Sequence, residues 1–104
     1  MAWVHLAIAG LLEIVWAFAM KQSAGFTRPL PTIVMLVTMA GSFGFLALAM
    51  RTLPLGTSYM IWTGIGALGA FVVGVTVLGE ALSPMRIAAA ALILAGIVTM
   101  KAAS

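Results

Sequence analysis

The sequence predicts an all-α integral membrane protein with four transmembrane helices in a single domain spanning residues 1–104. Three observations predict it. Charged residues make up only 7% of the 104, against about a quarter in soluble domains. Hydrophobic residues make up 64%, and the mean hydropathy is +1.26, so the chain cannot cover a water-facing surface. Finally, charges and prolines divide it into four apolar pieces, each near the roughly 20 residues that a helix needs to cross a hydrocarbon core of about 30 Å.

The first span runs from Trp3 to Met20, and the link "KQSAGFTRPLP" that follows holds Lys21, Gly25, Arg28, Pro29 and Pro31. The second runs from Thr32 to Met50 and ends at "RTLPL", with Arg51 and Pro54. The third runs from Gly56 to Leu78, followed by "GEALSP". There Ser83 is placed to cap the next helix and Pro84 to take its first position, where a missing N–H costs nothing. The fourth runs from Met85 to Met100, with "KAAS" as an anchor. Links this short predict antiparallel neighbours throughout. Ala17-Phe18-Ala19 mimics a cleavage site, but no basic segment precedes it and Glu13 interrupts the apolar run, so the segment reads as a span.

The composition also excludes function classes. There is no cysteine, and one histidine with two glutamates cannot build an intrachain zinc site of ordinary type. The five basic residues flank the spans and form no stripe for nucleic acid. No nucleophile–base arrangement or phosphate loop is present, so an enzyme is not expected, nor is a cofactor. Lys21, Arg28 and Arg86 share one membrane face, and Arg51 and Lys101 the other. Cytoplasmic loops normally carry the excess of such residues. So small a bias leaves open a weakly set orientation and insertion both ways round.

One residue breaks the apolar pattern. Glu13 stands mid-span, and no basic residue lies within seven positions of it. A charge at the bilayer centre costs about 2.5–3.5 kcal/mol on insertion scales. With every Lys and Arg at a span end, its counterion must come from outside the chain. Gly10, Trp16 and Ala17 share its helical face at i−3, i+3 and i+4. Gly10 would leave room beside the carboxylate, and Trp16 offers an aromatic face that binds cations with about 0.5–2 kcal/mol. On the third span Tyr59, Trp62, Thr63 and Gly66 form a semi-polar aromatic stripe. Gly66, Ala70 and Gly74 form a small-residue ladder suited to close helix packing, and with Gly64 and Gly69 they make that span a place to bend. Thr38 and Ser42 lie one turn apart on the second span. Back-bonding within their helix and a role in the site are both open to them. Ala89 and Gly96 mark a seam for tight packing on the fourth span. Glu80, among turn residues, is expected to be solvated. One chain surrounds Glu13 with only three other helices, so a homo-oligomer is expected, most simply a dimer.

The stretches "AGLLEIVWA", "LPLGTSYMIWTGIGALGA", "GEALSPMR" and "ALILAGIV" together resemble the small multidrug resistance family, and "WTGIGA" points to its guanidinium-exporter branch. The resemblance implies an antiparallel, dual-topology homodimer in an inner membrane that exports guanidinium or related small cations in exchange for protons by alternating access. By motif match Glu13 would bind both proton and substrate. Trp16, Ser42, Tyr59 and Trp62 would line the site, with Gly10 beside the acid, the helix 3 glycines as the bend, and Ala89, Leu92, Ile93 and Gly96 along the dimer seam. Met60, where relatives often have a small residue, borders the site or a side opening, and substrate breadth turns on it. An exporter of quaternary ammonium cations is the alternative within transporters. A proteolipid ring and a structural membrane subunit are the alternatives from other classes. The proteolipid ring does not need the aromatic stripe, and the structural subunit predicts no pH-dependent ligand binding.

Overall fold

The computed structural model describes all 104 residues. Four helices account for most of them: α1 (Ala2–Gln22), α2 (Pro29–Ala49), α3 (Leu55–Thr76) and α4 (Pro84–Ala102). All four are long and apolar enough to cross a membrane.

The helix ends differ from the sequence expectation by one to three residues, and two of the differences have a clear physical reason. α2 begins at Pro29, three residues early, with Pro29 and Pro31 both inside its first turn, where the backbone N–H groups lack helical partners in any case. α3 stops at Thr76, short of Leu78. Gly79 there adopts φ +69°, and the Glu80 N–H turns back to the Gly74 carbonyl at 2.9 Å. Ser83 caps α4 by accepting the Arg86 N–H at 3.2 Å, with Pro84 next to it, as the sequence predicted.

The first link is tied by Ser23, which is fully buried. Its hydroxyl donates to the Met20 carbonyl at 2.6 Å and accepts the Phe26 N–H at 3.2 Å. These bonds hold Ala24, Gly25 and Phe26 in consecutive left-handed conformations, φ 50°, 74° and 67°, a region that L-residues other than glycine rarely enter.

The helices form a thin slab, 40 × 34 × 16 Å. α1 packs along both α2 and α3, whereas α2 and α3 touch over only a short stretch and α4 packs on α3, reaching α1 through Lys101 over the Trp3 ring. Consecutive helices are in contact, as expected, but α2 and α3 meet only briefly. The reason is the α1–α3 interface. A Cβ on Gly10 would lie 2.6 Å from Ile65 Cγ2, and a Cβ on Gly69 would overlap Ile14, so these two helices approach as closely as small residues allow. α3 remains continuous through Gly64, Gly66 and Gly69. The core is small: Leu6, Ala9, Leu46, Ala49, Ile61 and Trp62. No residue of α4 is buried.

Candidate functional site

The core places the site. Ser42, buried on α2, donates its hydroxyl to the Ala9 carbonyl on α1 at 2.7 Å. The same oxygen accepts the Trp62 indole N–H from α3 at 3.0 Å. Three helices are thus joined at one hydroxyl. Ala9 lies four residues before Glu13, on the same face of α1. The two hydroxyls left open by sequence divide here. Thr38 back-bonds to the Val34 carbonyl at 2.7 Å, while Ser42 reaches across to another helix.

Below this junction lies Glu13, half-buried on α1. Its carboxylate rests against Gly66 of α3, where a Cβ would lie 2.7 Å from Glu13 Cγ and closer still to Cδ and Oε1. Room for the acid therefore comes from Gly66, while the space at Gly10 is filled by Ile65. Glu13 Oε1 is shielded and has no hydrogen-bond partner in the chain, and the Trp16 indole nitrogen is in the same condition. The chain's one ion pair, Arg86 to Glu80 at 3.3 Å, lies at the far end of α3, and no basic side chain neutralises Glu13. A shielded carboxylate oxygen without a donor is costly, which leaves it available to a proton or a cationic N–H group.

A series of aromatic rings begins one helical turn from this acid, at Trp16. Trp16 meets Phe43 edge-on at 6.4 Å, Phe43 meets Trp62 at 5.8 Å, and Trp62 meets Tyr59 at 5.4 Å. The predicted residues Trp16, Trp62 and Tyr59 are thus brought into one series. The sequence reading missed Phe43, which links its two tryptophans. Its signal was adjacency to Ser42. Ser58 was missed as well. It is fully buried with an unpartnered hydroxyl, one turn before Trp62 on the same face. Tyr59 and Met60 are each more than half exposed, at 53% and 56%, and Thr63 is exposed beside them. The Trp62 ring is held by its indole bond, whereas the Tyr59 hydroxyl makes no bond within the chain.

The seam residues Ala89, Leu92 and Gly96 are exposed, with Leu92 at 74%. Ile93 turns partly inward, its Cγ2 3.7 Å from where a Gly64 Cβ would stand. Nothing in the chain lies within 4 Å of a Cβ built on Gly96, so the chain's own packing does not require glycine there. No group of three or more metal-ligating acid, histidine or cysteine side chains is present.

Comparison with known proteins matches residues 1–93 to the family described as Small Multidrug Resistance protein. A protein of Yersinia pestis named guanidinium exporter is 54% identical over 104 residues, covering 100% of both chains. Proteins of the same name from Citrobacter freundii and Escherichia coli K12 are 52% and 50% identical over 101 residues, covering 97% of this chain and 96% of each relative.

Proposed function

Because the chain belongs to the small multidrug resistance family, and is therefore a multi-pass transporter of bacterial-type inner membranes and not an enzyme, we propose that it exports guanidinium in exchange for protons, working as an antiparallel homodimer. The observation that carries the reading is Glu13: a shielded carboxylate oxygen with no donor in the chain, one helical turn from Trp16, which heads the aromatic series. The names of the relatives support guanidinium as the cation.

Guanidinium is planar, with N–H donors around its edge. A carboxylate accepts two of them in parallel, the strong charge-assisted geometry. Two Glu13 carboxylates, one from each copy, would grip the cation edge-on, while Trp16 and Trp62 present aromatic faces worth about 0.5–2 kcal/mol each. Tyr59, with its hydroxyl unengaged in the chain, would orient the acids. Ser42 would act at the site by fixing the Trp62 ring, with Gly10 and Thr63 at its margins. Exposed Met60 beside Tyr59 supports passage of alkyl groups on the cation, since an unbranched thioether repacks readily.

Protons and cation compete for the same pair of carboxylates, which titrate as a coupled unit. Cation loaded on the less acidic side is displaced by protons on the more acidic side. Inward proton flow then drives outward cation flow as the dimer alternates access, with the helix 3 glycines as its bend. Ala89, Leu92, Ile93 and Gly96 would form the contact between copies.

The test is uptake of guanidinium into vesicles that hold the reconstituted protein under an imposed pH gradient. Wild type should accumulate the cation, and Glu13→Gln should not, while still assembling as a dimer. Proton-driven uptake by Glu13→Gln at the wild-type rate would sink the proposal.

A further inference from the structure

We propose that the membrane-boundary end built by the first turn of α1 and the end of α2 binds the phosphodiester headgroup of an anionic phospholipid. A hollow of ≈580 Å³ opens there, lined in part by Trp3, His5, Leu48, Arg51 and Thr52. The groove between α3 and α4, by comparison, encloses ≈270 Å³ and is lined mainly by apolar side chains.

No side-chain acid neutralises the charge at this end. Of the three arginines, Arg28 donates to the Gln22 carbonyl at 3.4 Å, and Arg86 is held by Glu80, the Ala81 carbonyl and the Phe71 ring. Arg51 is exposed and has no acid partner. Lys101 adds a second cation, lying 5.0 Å over the ring of Trp3, which itself lines the hollow. Neither glutamate offsets them: Glu13 is two helical turns deeper than His5 on α1, and Glu80 is at the opposite end of α3.

Basic hollows at the ends of membrane helices recognise anionic headgroups by this chemistry. Arg51 can pair two phosphate oxygens through its fork of N–H groups, with the Thr52 hydroxyl and the His5 ring as further polar partners. The apolar border selects a lipid over a soluble anion. Leu48 in the hollow and Val4 beside it are 41% and 49% exposed, placed to lie along acyl chains while the headgroup sits over the cations.

The experiment measures phosphatidylglycerol against phosphatidylcholine bound to the purified full-length protein, by native mass spectrometry and by exchange of labelled lipid. Wild type should prefer phosphatidylglycerol. Arg51→Gln should weaken that preference about fivefold, the factor for one interfacial cation, and a further Lys101→Gln should reduce it again. Arg28→Gln, at the other end, should leave it unchanged. Equal binding of the two lipids by wild type, or the same loss in Arg28→Gln, would overturn the site. Displacement of the lipid by millimolar inorganic phosphate would make it a soluble-anion site and overturn the lipid assignment. Loss of the dimer on Arg51→Gln in phosphatidylcholine would assign Arg51 to a contact between copies instead. Each readout is independent of guanidinium transport.

Discussion

Gly66→Ala separates the role of the carboxylate's seat from the role of helix packing. The new methyl would lie 2.7 Å from Glu13 Cγ, where carbon atoms need about 3.5 Å, so the side chain must retreat by about an ångström. Glu13 is flexible and its carboxylate end moves readily. Stability should therefore change by less than about 1 kcal/mol. Cation binding has no such freedom, because charge-assisted N–H to oxygen bonds hold only near 2.7–2.9 Å. Loss of one such bond costs about 1.5–3 kcal/mol, which is roughly 10- to 150-fold in dissociation constant. The contrasting variant is Gly69→Ala. Its methyl would strike the Cδ1–Cγ1 arm of Ile14, and a β-branched side chain in a helix is nearly fixed at χ1 and cannot swing away, so it should lose about 1–3 kcal/mol of stability by overpacking. Guanidinium titrations by tryptophan fluorescence, paired with thermal unfolding of each variant in the same lipid, give both numbers. Affinity within twofold of wild type in a folded Gly66→Ala protein would refute the placement of the acid against Gly66.

Three further outcomes follow from the geometry. Ser42→Ala leaves the Trp62 indole N–H without its acceptor and removes the hydroxyl that ties it to the Ala9 carbonyl. It should destabilise the protein by about 1–3 kcal/mol and broaden the Trp62 emission, and an unchanged melting temperature would count against the three-helix junction. Apparent affinity for guanidinium should rise with pH, because protons leave the carboxylates that the cation needs. Binding should lose that dependence in Glu13→Gln, and equal affinity of wild type at pH 6 and pH 9 would contradict the competition. Gly96→Leu meets nothing inside the chain, so it should leave helix content intact and shift the protein towards monomer in cross-linking. An undisturbed dimer would move the contact away from α4.

The number of helices was legible because apolar length and interrupting charge follow directly from the bilayer's thickness. The α4 cap was legible because Ser83 and Pro84 act through local backbone chemistry. Glu13 stood out for the same reason that it is costly: no neighbour in sequence neutralises it. The pairing of α1 with α3 was not legible. In lipid, all helix faces are apolar and periodicity does not rank one neighbour above another, so small residues such as Gly10 and Gly69 decide the contact. The destination of the Ser42 hydroxyl was hidden too, since a serine on a helix can bond its own backbone or a neighbour's with equal ease. Phe43 read as one more apolar residue of its span until Trp16 and Trp62 were seen on either side of it.

The glycine ladder of α3 holds a last consequence. Gly66 seats the Glu13 carboxylate, and Gly74, eight residues on, seats that of Glu80, whose Oε1 would lie 2.5 Å from a Cβ built there. The two notches are about 12 Å apart along the helix axis and lie on neighbouring faces of one continuous helix. A roll of α3 that lifts one acid from its notch disturbs the other as well. Glu80 is bound to Arg86 at the start of α4, so occupancy at the membrane's centre can be felt at its water boundary through a single helix, without a chain of intermediaries.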